Sequence, residues 1–167
     1  MSTKTKPYLD IGIQEPFKAQ VSSRWLRKAT SSALEVALTS EIEGSYRLSV
    51  MISDDDTLRR LNKEYLGQDE VTDVLSFPAS DNRQWKGEGN PPQQWDDIEF
   101  TPPIEEPHHL GEVIISYPQV VRQTVGGASD VEKELVLMLA HGVLHLLGFD
   151  HTEPWEEAEM RSMENKI

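Results

Sequence analysis

The sequence predicts a single α/β (α+β) domain over residues 1–167. It would be a small mixed sheet of about four strands packed with about five helices, with a metal site on a central C-terminal helix. Three observations lead there. Apolar residues alternate between a period of two and a period near 3.6 along the chain, in the order β-α-β-α-β-β-α-α-α. The chain has 167 residues, 37% hydrophobic and 27% charged, enough for one domain with its own core. The segment HGVLHLLGFDH, residues 141–151, holds three of the five histidines.

Residues 8–13 alternate apolar and polar and read as a short strand. Ser22 or Ser23 suits the cap of a helix running to about Thr39, with Trp25, Leu26, Ala29, Ala33, Leu34 and Val36 near its inner side. Residues 46–52 alternate and are rich in strand formers, so a second strand is expected. Ser53-Asp54-Asp55-Asp56 opens a helix through Tyr65, since acidic side chains favour the positive end of the helix dipole. Gly67 stops it.

A strand over residues 72–77 (TDVLSF) ends at Pro78. The polar segment 79–109, with five prolines, reads as an extended insertion. Trp85 and Trp95 would anchor it on the domain or present a sticky patch, and His108 and His109 close it, exposed by default with a reach to a metal as the alternative. Residues 110–117 (LGEVIISY) form the next strand. Pro118 begins a short helix ended by Gly126-Gly127. Ser129 is placed to cap the histidine-bearing helix, with Glu132 three residues on completing a capping box. A final amphipathic helix is expected over residues 153–165, with Trp155, Ala158, Met160 and Met163 as its apolar members.

The histidine segment carries the chemistry. His141 and His145 are four apart, so on a helix they share one face a turn apart. Gly148 can end the helix in the left-handed conformation, and the following turn can swing His151 back toward the other two. Three imidazoles leave a fourth coordination position open, as in catalytic zinc sites. The flanking residues are apolar, and a buried helix does not take imidazoles inside without partners. The spacing matches the metzincin protease pattern H-E-x-x-H-x-x-G-x-x-H except at the glutamate, the general base of peptide hydrolysis. Gly142 stands there and carries no proton. Glu134, almost two turns earlier, is poorly placed to replace it.

Bulk properties exclude several classes. There is no cysteine, so no disulfide, thiolate metal site or thiol nucleophile, which fits a reducing compartment. The N-terminus lacks an apolar stretch, so a secretory signal is not expected, and the apolar run over 135–149 is too short to span a bilayer. A net charge of −13 argues against a protein that coats nucleic acid non-specifically. The charge is uneven: residues 1–67 carry ten basic and nine acidic side chains, the remainder six and twenty. An RNA-facing surface would draw on Arg24, Arg27, Lys28, Arg59, Arg60 and Lys63, each of which taken singly reads as part of a solvated helix face.

HGVLHLLGFDH resembles the signature of the YbeY family of bacterial endoribonucleases, which act as rRNA maturation factors. LNKEYLGQDEVTDVLSFP, residues 61–78, resembles that family's second hallmark, and GEVIIS, residues 111–116, a third. The three occur in family order, and the family's domain would cover nearly the whole chain. The resemblance implies a small mixed sheet with surrounding helices and one divalent metal, taken to be zinc, on His141, His145 and His151. It implies cleavage of single-stranded RNA, with roles in 16S rRNA 3′-end processing, ribosome assembly and quality control. The partners implied are rRNA and ribosome or small-subunit assembly components, with no membrane, in the cytoplasm.

One departure from the family stands out. Its second hallmark usually has arginine directly after the tyrosine, a residue proposed to hold the substrate phosphate. Here that position is Leu66, and the usual basic residue two further on is Gln68. Leucine cannot supply the planar, bidentate fork that suits phosphate. Arg59 and Arg60 lie about two turns earlier on the same expected helix and Lys63 about one turn. Arg60 and Lys63, with Asp73 and Ser76 on the TDVLSF strand, are the candidate substrate-binding residues. At Glu112 relatives often carry aspartate.

The leading expectation is metal-assisted RNA phosphodiester cleavage. A bound ion would lower the pKa of a water from near 16 to about 7, or polarise a phosphate oxygen. Asp150, beside His151, would orient an imidazole or stabilise the turn. No feature of the sequence names a general base, and the nucleophile is either water or the RNA 2′-hydroxyl. Two alternatives stand: a metal-stabilised assembly factor with weak or no catalysis, marked by Leu66, and a metallopeptidase lacking its usual glutamate.

Overall fold

The computed structural model describes residues 7–38, 45–79 and 107–148. They form a mixed α/β single domain built on one four-stranded sheet.

Strand β1 (Tyr8–Ile13) matches the expected span. A 3-10 turn at Glu15–Phe17, started by Pro16, leads into helix α1 (Ser23–Ala37). Ser22 is its N-cap, accepting a hydrogen bond from the Trp25 N–H at 3.3 Å. Leu26, Thr30, Ala33, Leu34 and Ala37 recur every three or four residues and are buried. The buried Thr30 hydroxyl is satisfied by the Leu26 carbonyl at 2.7 Å.

Strand β2 (Tyr46–Ser53) buries Tyr46, Leu48, Val50 and Ile52 and exposes Arg47 and Met51, the period of two that one covered face produces. Helix α2 (Asp55–Leu66) is capped by Asp54, which accepts from the Thr57 N–H at 2.8 Å. It ends at Gly67, whose φ of 71° is the left-handed stop the sequence suggests. Strand β3 (Val74–Pro78) is followed after residues 80–106 by β4 (His108–Ser116). Helices α3 (Tyr117–Gln123) and α4 (Ala128–Leu146) complete the described elements.

The strand order is β1-β2-β4-β3, with β1, β2 and β4 parallel and β3 antiparallel to β4. A register shift between Arg47 and Leu48 bypasses Leu110 as a bulge. Beside it Gly111 takes φ +137°, and a Cβ there would lie 2.2 Å from the Phe77 carbonyl oxygen and 2.9 Å from Leu146 Cδ2. Only glycine lets β3, β4 and α4 close together at this point.

Helices α1 and α4 pack against each other and against the sheet, over a core that includes Leu26, Leu34, Leu48, Val50, Val113, Ile115, Leu139 and Val143. Helix α2 lies on the other face. Ser76 turns its hydroxyl to α4 while its neighbour Phe77 meets Tyr65 of α2 edge-on at 5.2 Å, and successive strand residues point to opposite faces.

Two expectations are corrected, and one element is new. Helix α4 begins at Ala128 with Gly127 at the N-cap, not at a Ser129 cap, because the chain already turns helical straight after the two glycines. His108 and His109 do not close a loop. They are the first residues of β4, paired with Tyr46 and Arg47, and both are exposed. The 3-10 turn was not expected, since Glu-Pro-Phe carries no helical period. Among the described residues there are four α-helices; the helix expected over 153–165, and Trp85 and Trp95 of the insertion, lie outside them.

Candidate metal centre

Helix α4 sets two imidazoles side by side because four residues make about one turn. The Nε2 atoms of His141 and His145 are 3.0 Å apart, with ring centroids separated by 4.5 Å and planes inclined at 76°. A tetrahedral zinc with bonds of about 2.0–2.1 Å to nitrogen holds two ligand nitrogens about 3.3 Å apart. The pair therefore fits one shared cation after a shift of a few tenths of an ångström. Without an ion the same separation suits an N–H···N hydrogen bond, one ring donating and the other accepting. Metal binding needs both Nε2 atoms bare. Both rings are partly buried beside the fully buried Val143 and Leu144, where water competes weakly for the ligand nitrogens.

The turn of helix that carries them is locked to the sheet. Gly142 is buried, and a Cβ on it would meet Val113 Cγ1 at 2.6 Å and Ser76 Oγ at 3.1 Å. The Ser76 hydroxyl donates to the Gly142 carbonyl at 3.1 Å. After His145 the chain leaves the helix through Gly148 at φ +94°, whose N–H donates to the His145 carbonyl at 3.1 Å. The expected left-handed exit is thus present. His151 and Asp150 lie outside the described residues.

The other candidate residues divide. Asp73 and Ser76 flank the N-terminal half of β3, the strand packed against α4. The Asp73 carboxylate accepts from the Val74 N–H at 2.8 Å and from Gln123 Nε2 at 3.2 Å. Arg60 and Lys63 stand on α2, across the sheet from α4. Lys63 and Arg59 share Asp69, at 3.3 and 2.8 Å. Arg59, first of all, holds the exposed Asp69 carboxyl below its ordinary range. Arg60 is exposed and makes no ion pair among the described residues. Leu66, at the end of α2, is 59% exposed and follows Tyr65, whose ring meets Phe77.

Two features went unnoticed in the sequence. Gly142 is a contact surface for β3 and β4 as well as a missing glutamate. A glycine inside an apolar helix is a recognisable signal of such close approach. The second is a network in which Asp55 accepts from the buried Ser116 hydroxyl at 2.7 Å and from Arg122 Nη2 at 2.7–2.8 Å. It joins the start of α2, the end of β4 and α3, beside Gln123, which holds Asp73.

A family model described as Endoribonuclease YbeY matches residues 13–167. The chain is 36% identical over 160 residues to an Endoribonuclease YbeY of Roseiflexus sp. (strain RS-1), covering 95% of this chain and 89% of the relative. It is 40% identical over 154 residues to one from Dehalococcoides mccartyi (strain CBDB1), covering 92% and 87%. The solution structure of TM1509 from Thermotoga maritima is similar in fold, with a TM-score of 0.51 at 20% identity, covering 95% of this chain and 87% of that one. With a match that runs through the sheet, the glycine-seated helix and the histidine pair, the chain belongs to the YbeY endoribonuclease family.

Proposed function

We propose that the chain is a metal-dependent, single-strand-specific endoribonuclease acting in 16S rRNA 3′-end maturation and small-subunit assembly and quality control, in the cytoplasm. The observation that carries this reading is the pair of Nε2 atoms 3.0 Å apart on a helix clamped to strand β3. Family membership supplies the reaction class. Among the described residues no helix is long and apolar enough to cross a membrane.

His141, His145 and His151 would hold one divalent ion, zinc being the expected one. Bound there, the ion supplies Lewis acidity, lowering the pKa of a water or polarising a phosphate oxygen. The chain's own residues do the positioning. Gly142 and Ser76 set the height of the histidine turn against β3. Asp73, gripped by Val74 and Gln123, shapes the start of that strand, and Asp150 is assigned to orient an imidazole. Arg60 is the uncommitted cation of α2 available to the RNA backbone, with Lys63 a weaker candidate because Asp69 already engages it.

The test is elemental analysis of the purified protein beside His145→Ala, with a single-stranded RNA assay on both. The expected result is about one zinc per wild-type chain with endonucleolytic cutting, and the loss of both in the variant. Undiminished cutting by the variant, or by chelated wild type, would overturn the reading. A cyclic phosphate on the product would assign attack to the RNA 2′-hydroxyl.

A second reading, an assembly factor with weak or no catalysis, is favoured by one observation. The position of the family's phosphate-holding arginine is the exposed apolar Leu66, while Arg59 and Lys63 are both engaged with Asp69. A peptidase is disfavoured on steric grounds. The position of its glutamate faces the sheet, with no room even for a Cβ.

A further inference from the structure

Among the described residues β3 is the outer strand of the sheet, and it packs against the histidine helix. The Ser116 N–H donates to the Asp73 carbonyl at 2.8 Å, and the Ala79 N–H to the Leu110 carbonyl at 3.1 Å. In the unbroken antiparallel register between these two bonds, residues 73, 75, 77 and 79 turn their main-chain groups toward β4. Residues 74, 76 and 78 turn theirs away from β4.

Those three outward residues are not equivalent. The Val74 N–H is already taken by the Asp73 carboxylate at 2.8 Å. Pro78 has no N–H to offer. The Ser76 N–H is the one outward donor of this strand with no partner among the described residues. The Ser76 hydroxyl donates to the carbonyl of Gly142, the residue after His141.

This pattern decides what can bind. An added peptide strand needs donors and acceptors at alternate positions along the edge. Here the donors on both flanks are gone, which is how edge strands are commonly blocked against pairing. The one main-chain donor left is the Ser76 N–H, on the strand packed against the histidine helix. That suits an isolated anionic oxygen, and backbone N–H groups are common phosphate donors in protein–nucleic acid complexes.

We propose that the Ser76 main-chain N–H donates to a phosphate oxygen of the RNA strand and so positions that strand against the His141–His145 pair. This rests on the ribonuclease reading and adds a specific contact to it.

The test uses the zinc-loaded, ¹⁵N-labelled full chain titrated with a single-stranded 2′-O-methyl RNA, alongside a cleavage assay on the unmodified RNA. The Ser76 amide should shift and its solvent exchange should slow at least about ten-fold, as for a charge-assisted bond. The Leu75 and Phe77 amides, already in the ladder, should not follow. Ser76→Pro should raise KM about ten-fold over Ser76→Ala, which keeps the N–H. Cutting of RNA with an unmoved Ser76 amide and matching KM values in the two variants would overturn this inference and leave the function standing. A Ser76 amide that responds to an extended peptide and not to RNA would overturn it as well. RNA neither bound nor cut would remove both.

Discussion

The Ser76 hydroxyl and the Gly142 carbonyl, 66 residues apart in sequence, are joined by a hydrogen bond of 3.1 Å that ties β3 to the turn of α4 carrying both histidines. The approach is possible because position 142 has no side chain: a Cβ would sit 2.6 Å from Val113 Cγ1. Gly142→Ala gains helix propensity of at most about 1 kcal/mol but must push the helix off the sheet. Overpacking of this kind costs about 1–3 kcal/mol, so a net loss of stability is expected in urea denaturation. Adding Val113→Ala removes the obstructing methyls. The double variant should therefore lose less than the sum of the two single variants. Strict additivity would mean that Gly142 is not held by Val113.

Metal binding should register in stability independently of activity. An ion that binds only the folded chain stabilises it by about 2.7 kcal/mol at a hundred times its dissociation constant. For a domain of this size that corresponds to a rise in Tm of roughly 5–10 °C. Wild type should show this rise on adding zinc, and His145→Ala should show little of it, because one of the two adjoining Nε2 atoms is gone. Equal shifts in a thermal melt would place the ion elsewhere on the chain.

Asp54 makes a pH-dependent contribution at the start of α2. The Thr57 side chain first, and then the Thr57 N–H that its carboxylate accepts from, lower its pKa from the ordinary 3.8. Because the folded value is the lower one, the stabilisation is complete above the ordinary value and is lost as pH falls through the folded one. Asp54→Ala should cost about 1 kcal/mol at neutral pH. The difference from wild type should shrink as pH drops below about 4. Asp54→Asn keeps an acceptor at the cap but cannot titrate, so it should hold most of the stability and lose that acid dependence. A wild-type advantage unchanged at pH 3 would rule out the linkage.

The local parts of this architecture were legible because their causes are local. Ser22, Asp54 and Gly67 end helices through bonds to residues three to five positions away, and all three occur where their chemistry predicts. The period of two in β2 likewise follows from one covered face. The parts that escaped are those whose causes lie far along the chain. Asp55 meets Ser116 and Arg122 across 61 and 67 residues, and no short window contains both ends. Gly142 was readable as the absence of a glutamate, but its contact with Val113 exists only once β4 and α4 are stacked. The histidine pair was the exception among the features of the candidate site, since i and i+4 on a helix are neighbours whatever surrounds them. The observed cap of α4, Gly127, and the expected one, Ser129, are only two residues apart, a difference that propensity alone does not resolve.

The nuclease and assembly-factor readings divide at Leu66. It ends α2 beside Tyr65, whose ring rests on Phe77, the neighbour of Ser76 on β3. An arginine at this position would start from the end of α2 that lies over β3, and its guanidinium can grip a phosphate bidentately as leucine cannot. The native side chain is 59% exposed, so Leu66→Arg should leave the folded stability within about 0.5 kcal/mol of wild type. A charge-assisted hydrogen bond formed in the transition state corresponds to about a ten-fold or greater rise in kcat/KM on single-stranded RNA. Such a rise over a slow but measurable wild type would mean that the substitution had weakened an existing nuclease. A metal-loaded wild type with no activity, made active by the variant, would favour the assembly-factor reading for the native chain. Equal rates would show that phosphate is held without this arginine, leaving Arg60 and the edge of β3 as the remaining phosphate-binding groups to be tested by substitution.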